Sequence, residues 1–257
     1  MVASAFQAPV PFARTEISPE VRQAAQLVLE SDWVSEGPQT GLFEREIADR
    51  VGGPACDGGE FLYRCDRTRA TSNSTAHRSL VMVPTLTFCG AAQAVVHAGL
   101  LPLLVDVDPG TGMPSAATAA RAAADFGQPQ ALMVLRLRRG ALPAGRAGRR
   151  GQSADVPDYR GRHPRFGTYA GYRPVGALSQ AACFSCYATK NLPIGEAGMV
   201  TTDDDDLAEP VRRARLHGMS ADARQCHLPG GTWQYTVDDA GPKANMAEPP
   251  RTKADAS

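Results

Sequence analysis

The chain has 257 residues, 27 lysines plus arginines against 27 acids, and a formal net charge of zero. Balanced charge gives no global attraction to nucleic acid or an anionic membrane, and the length suffices for one large domain or two small ones with a buried core. Met1–Val10 lacks a basic segment followed by an apolar run, and the most apolar stretch, Ala91–Val105, contains His97 and Pro102 and is too short to span a bilayer.

Ser18-Pro19-Glu20 predicts a helix start: a capping hydroxyl, a proline in the first turn and an acid near the positive helix end. Val21, Ala25, Val28 and Leu29 would form its apolar face. Asp32 to Pro38 reads as a loop containing Trp33 and Gly37-Pro38. Thr40 is expected to cap a second helix, with Phe43, Ile47 and Val51 on one face and Gly52-Gly53 as its stop. From Pro54 to Ser79 apolar periodicity fades. It returns at Leu80–Pro84, a buried strand, then Thr85–Phe88, a small-residue helix over Cys89–Gly99 and a strand at Leu101–Val105. A strand–helix–strand unit of this length implies parallel strands joined by a right-handed crossover. Ser115–Phe126 predicts an alanine-rich helix and Ala131–Leu135 a strand. Arg136–Arg165 is dense in Arg, Gly and Pro, the composition of a basic nucleic-acid arm, although it lies inside a domain and its aromatics are Tyr159 and, just past its end, Phe166.

The forty residues from Ala181 to Ser220 carry the densest chemistry. Ala181–Tyr187 reads as a short buried strand, followed by Lys190 and a turn over Asn191–Gly195. Gly198–Thr202 is a second strand candidate. Asp203–Asp206 offer helix caps, with Leu207, Val211 and Ala214 at helical spacing behind them. A serine five residues before a lysine, at a strand end, suits a phosphate-bearing aldehyde: the lysine amine forms a Schiff base and the hydroxyl holds the phosphate. The bland alternative for Lys190 is a surface lysine after a core strand. The chain holds only three lysines, Lys190, Lys243 and Lys253, against 24 arginines, and a guanidinium does not deprotonate to a nucleophile. Cys183 and Cys186 form a CxxC, but residues three apart in a strand point to opposite faces, which favours core cysteines over a zinc site. Six irregularly spaced cysteines fit reduced thiols better than a disulfide scaffold.

Phe184-Ser185-Cys186-Tyr187-Ala188-Thr189-Lys190-Asn191, Gly195-Glu196-Ala197-Gly198-Met199-Val200 and Arg215-Leu216-His217-Gly218-Met219-Ser220 resemble the pyridoxal-phosphate-dependent sugar aminotransferases of the DegT/DnrJ/EryC1/StrS family. Trp33–Pro38 with Phe43–Ala48, the run Leu80–Leu135 and the segment Leu228–Met246 are similar to it too, so the likeness covers blocks near 17–52, 80–135 and 166–246. The resemblance implies an α/β, three-layer large domain of the aspartate-aminotransferase type (PLP fold type I) over residues 1–246. It implies Lys190 as the Schiff-base lysine and proton shuttle, Ser185 as a ligand of the cofactor phosphate, and Phe88 stacked on the pyridine ring. It implies Asn245 reaching the phosphate of a neighbouring subunit's cofactor, although the family usually has an aromatic where Ala244 stands. The cofactor would be pyridoxal 5'-phosphate, with no metal, in a cytoplasmic homodimer. The reaction would move an amino group, commonly from glutamate, to a ketone of a nucleotide-linked deoxysugar, as in antibiotic biosynthesis. For Phe88 and Asn245 the residues alone equally allow a core aromatic and a turn asparagine.

Two stretches, 54–79 and 136–165, depart from the family pattern. Where the family has a Ser-Ser-Gly-Thr-Ala-Ala phosphate turn, this chain has Glu60–Asp66. With codons ending in C, or G for Glu60, reading one base later yields Ser-Ser-Ser-Thr-Ala-Ala-Thr, so a local frameshift is the expectation there. The family aspartate that pairs with the ring nitrogen belongs to a Glu-Asp-Ala-Ala-His-Ala motif. Asp155 and Asp158 stand outside any such motif, and shifting Tyr159–Arg165 recovers one only with several codons ending in A. Residues 247–257 are expected to form a disordered tail, with the family's small carboxy-terminal domain missing. Beside the active aminotransferase stand two other readings: an inactive or mis-sequenced fragment of one, and an arginine-rich nucleic-acid-binding protein.

Overall fold

The computed structural model describes residues 11, 14–51, 55–57, 79–133, 159–160, 169–170, 173–174, 181–190, 192–220, 230–231 and 233–250. Of the expectations above, those on Gly52-Gly53, the Glu60–Asp66 stretch, Asp155 and Asp158, Asn191 and the tail beyond residue 250 lie outside the described residues.

Helix α1 spans Pro19–Glu30 and α2 spans Pro38–Val51. Ser18 caps α1 as its sequence demands, accepting from Val21 N at 3.3 Å. Val21, Ala25 and Val28 are half-buried, whereas Leu29, expected on the same face, is 71% exposed. One step beyond Val28 turns a side chain by about 100°, which swings Leu29 onto the open side. Strand β1 is Ala55–Asp57 and β2 is Leu80–Pro84. Helix α3, Cys89–His97, connects β2 to β3, Leu101–Val105. The two strands pair in parallel from Leu80↔Leu101 to Pro84↔Val105, and β4, Ala131–Leu132, pairs in parallel on the other side of β2. Helix α4, Ala116–Phe126, begins with a full capping box in which the Ser115 and Thr118 hydroxyls answer each other's backbone N–H groups.

The second sheet has β5 (Tyr159–Arg160), β8 (Ala181–Ser185), β9 (Gly198–Thr201) and β1, in the order β1-β9-β8-β5. Strands β6, Tyr169–Ala170, and β7, Arg173–Pro174, form a separate antiparallel pair. β5 and β8 run parallel, while β9 is antiparallel to both β8 and β1. β4 and β5 lie side by side, so the two sheets make one layer.

Strand alternation sends side chains to opposite faces of that layer. Val81, Val83, Ala181, Cys183 and Val200 point to one face, where α3 and the last helix, α5 (Asp205–Ala214), bury Ala94, Val95, Leu207 and Val211. On the other face α2 packs Phe43, Ile47 and Val51 on Ala182, Phe184 and Met199, and α4 packs Ala122 on Met82, Leu103 and Val105. The expected three-layer α/β arrangement is therefore present. Cys183 and Cys186 lie in opposite cores, and no group of three or more metal-ligating side chains occurs among the described residues.

Two local expectations are corrected. Thr40 does not cap α2, which starts two residues earlier at Pro38; its hydroxyl instead donates to Glu248 at 2.7 Å. Ordered packing also runs past residue 246, where a tail was expected to begin. Ser35 and Ala247 form an antiparallel bridge, and Glu248 is 5% exposed.

Candidate functional site

Ligands of open α/β sheets sit beyond the carboxyl ends of the strands. Phe88 follows β2, and Lys190 follows β8. Ser185 ends β8, and its Oγ accepts from Tyr187 N at 3.3 Å, which leaves its own proton to donate. The chain then turns: Lys190 N donates to Tyr187 O at 2.8 Å, and Ile194 N returns to Cys186 O at 2.9 Å. Gly195 closes this loop at φ 117, a backbone state that side chains rarely adopt. From the amino-terminal side Thr15 Oγ1 donates to Ala188 O at 2.7 Å, tying the turn across 173 positions of sequence.

Lys190 is half-buried, and burial lowers its pKa below the ordinary 10.5. Desolvation disfavours the ammonium, so the neutral amine needed to attack an aldehyde becomes easier to reach. Phe88 stands at the N-cap of α3 with 57% of its surface exposed, so its ring is not spent in the core. A hydroxyl able to donate, a partly desolvated amine and an accessible ring suit a phosphate-bearing aromatic aldehyde. Glu60–Asp66, Asp155 and Asp158 lie outside the described residues.

Asn245 belongs to a polar network that no hydrogen bond joins to Ser185 or Lys190 among the described residues. Its Nδ2 donates to Glu36 Oε2 at 3.0 Å and to Ser35 Oγ at 3.3 Å. Its Oδ1 accepts from Lys243 Nζ. Glu36 pairs through Oε1 with Arg215, which also bonds Glu44 Oε1 at 2.9 Å. The Arg215 and Glu36 side chains are each 3% exposed. Glu248 closes the base of this corner. Its carboxylate accepts from Gly37 N, Gln39 N, Thr40 N and the Thr40 hydroxyl, so an acid 208 residues downstream of Thr40 caps α2. A Cβ on Gly37 would stand 2.8 Å from Glu248 Oε1 and 2.9 Å from Trp33 Cβ, which is why glycine occupies that position.

Sequence reasoning missed Glu36, Arg215, Glu44 and Glu248. Glu36 was visible as the acid of a Ser-Glu-Gly-Pro turn, and Arg215 as the arginine before His217-Gly218. Nothing local, however, announces a partner about 200 residues away.

A family model described as the DegT/DnrJ/EryC1/StrS aminotransferase family matches residues 15–133 and 163–248. The spore coat polysaccharide biosynthesis protein SpsC of Bacillus subtilis is 31% identical over 262 residues, covering 92% of this chain and 60% of SpsC. Among solved structures, the aminotransferase TlmJ from Streptoalloteichus hindustanus aligns at 23% identity over 93% of this chain and 63% of its own, with a TM-score of 0.71. Spr1654 from Streptococcus pneumoniae, in its PLP form, aligns at 18% identity over 93% of this chain and 63% of its own, also at a TM-score of 0.71. The chain thus spans about 60% of the length of SpsC. At these identities the solved structures show the fold: the large α/β domain of PLP fold type I.

Proposed function

The chain belongs to the DegT/DnrJ/EryC1/StrS aminotransferase family, and from that membership we propose that it is the large domain of a pyridoxal-phosphate-dependent sugar aminotransferase. Lys190 would be the covalent attachment point and proton carrier. The amino acceptor would be a ketone of a nucleotide-linked deoxysugar and the donor an amino acid, glutamate first among them. The working form would be a cytoplasmic homodimer in which Asn245 reaches toward the cofactor phosphate of the second copy. The aminotransferases of this family are enzymes that depend on pyridoxal phosphate.

The observation that carries the reading is the half-buried Lys190 five residues after Ser185 at the end of β8, its amine brought closer to neutrality by burial. When bound, pyridoxal phosphate supplies an aldehyde and an electron-withdrawing ring, which together let an amino group pass between two substrates. The residues supply the rest. Lys190, as free amine, takes up and returns a proton at Nζ. Ser185 donates its O–H to a phosphate oxygen. Phe88 offers a flat face that excludes water from one side of a planar ring.

Adding pyridoxal phosphate to the purified chain is expected to produce a visible absorbance band, and Lys190→Ala to abolish it while the fold, followed by far-UV circular dichroism, persists. The departures from the family pattern at 54–79 and 136–165 favour a second reading, an inert or frame-disrupted relative. Absence of the band at saturating cofactor would decide for that second reading.

A further inference from the structure

The loop that carries Lys190 is closed at its base and reached at its apex from far away in the sequence. At the base, Cys186 N donates to Ala197 O at 2.9 Å and Ile194 N to Cys186 O at 2.9 Å. The Cys186 side chain, 3% exposed, sits in the core beneath α2. At the apex Tyr187, Ala188 and Thr189 are exposed, so burial does not dictate their backbone.

Lys190 N donates to Tyr187 O at 2.8 Å, and neither Ala188 nor Thr189 stands at positive φ. Together these make Tyr187–Lys190 a type I turn. The peptide between Ala188 and Thr189 is the movable part of such a turn. Reversing it carries Ala188 O to the opposite side and needs Thr189 at positive φ, a state that a β-branched residue disfavours. Thr15 holds the same peptide from outside, its Oγ1 donating to Ala188 O at 2.7 Å. The anchor behind Thr15 is firm. Ser18, three residues on, caps α1, which buries Ala24 and half-buries Val21, Ala25 and Val28.

We propose that Thr15 is a positioning residue: its hydroxyl, anchored through α1, holds the central peptide of the Tyr187–Lys190 turn in one orientation and so fixes the backbone from which Lys190 reaches an aldehyde. The proposal rests on the aminotransferase reading for the role of Lys190.

Visible titration of the full chain with pyridoxal, which carries the aldehyde without the phosphate, and separately with pyridoxal phosphate tests it. Thr15 is exposed, so its replacement threatens no core. Thr15→Val keeps the branched shape and removes the donor. It is expected to weaken both ligands about two- to tenfold, the scale of one hydrogen bond, with the urea midpoint unchanged. Thr15→Ser keeps the donor and should bind both ligands within about twofold of wild type. Thr189→Gly lets the same peptide reverse freely, so combining it with Thr15→Val should cost more than the two single losses together. Unchanged affinity in Thr15→Val, a loss confined to pyridoxal phosphate, a loss that comes with a lowered urea midpoint, a loss that Thr15→Ser shares, or strictly additive losses with Thr189→Gly would each overturn the proposal while leaving the Lys190 reading intact. A wild-type chain that gives no band with either ligand overturns both.

Discussion

Burial fixes the behaviour of Lys190 more than any partner does. Its folded pKa lies below the ordinary 10.5 because the half-buried ammonium is desolvated. Between the two pKa values the unfolded chain holds a proton that the folded chain has released, so the cost of burying this charge is fully present below the folded pKa and fades as pH rises toward 10.5. Capture of an aldehyde by Lys190, trapped with a hydride reductant, should therefore rise with pH through a midpoint below 10.5. A midpoint at the value of a free lysine would mean that the amine is solvated. Ser185 and Lys190 were legible in the sequence because they lie five residues apart on one strand and its following turn, where local spacing decides geometry. Glu36 and Arg215 were not: they meet across 179 positions of numbering, and only folding brings them together.

Elements began where local capping chemistry was complete. Ser18-Pro19 started α1 and Ser115 started α4, each with its own hydroxyl on the backbone N–H three residues on. The start of α2 misled for the same reason. Its capping acid, Glu248, comes from far along the chain, so the nearest local hydroxyl, Thr40, took a role it does not have. Glu248→Ala should leave the first-turn N–H groups of α2 without an acceptor and cost about 1–3 kcal/mol in urea unfolding, with Glu248→Gln costing less. A loss within a few tenths would show that water replaces the carboxylate without penalty. The RLHG turn after α5 is likewise set by distant backbone: at Gly218, φ 74, a Cβ would stand 2.0 Å from Asp239 O, so only glycine fits there.

At the scale of the molecule the central layer belongs to both cores at once. Alternation along β8 gives Cys183 to the face covered by α3 and α5, and Phe184 to the face covered by α2. Truncation on either face should thus weaken the unit as a whole. Phe184, 3% exposed, should cost about 3–5 kcal/mol when changed to Ala, read as a lower urea midpoint at unchanged slope. A biphasic curve would show that the two faces unfold separately. By itself the sequence determined the parallel β2–α3–β3 unit, the alternating strands, the locally capped helices, the family and the placement of Ser185 at a strand end with Lys190 in the turn after it, because periods of two and 3.6 residues and short-range hydrogen bonds are written in neighbouring positions. Only the tertiary structure decided which way Asn245 points, that Glu248 caps α2 and that Arg215 neutralises Glu36. A charge buried in a low-dielectric corner takes its partner from whatever residue the packed chain places beside it, and sequence distance carries no record of that choice.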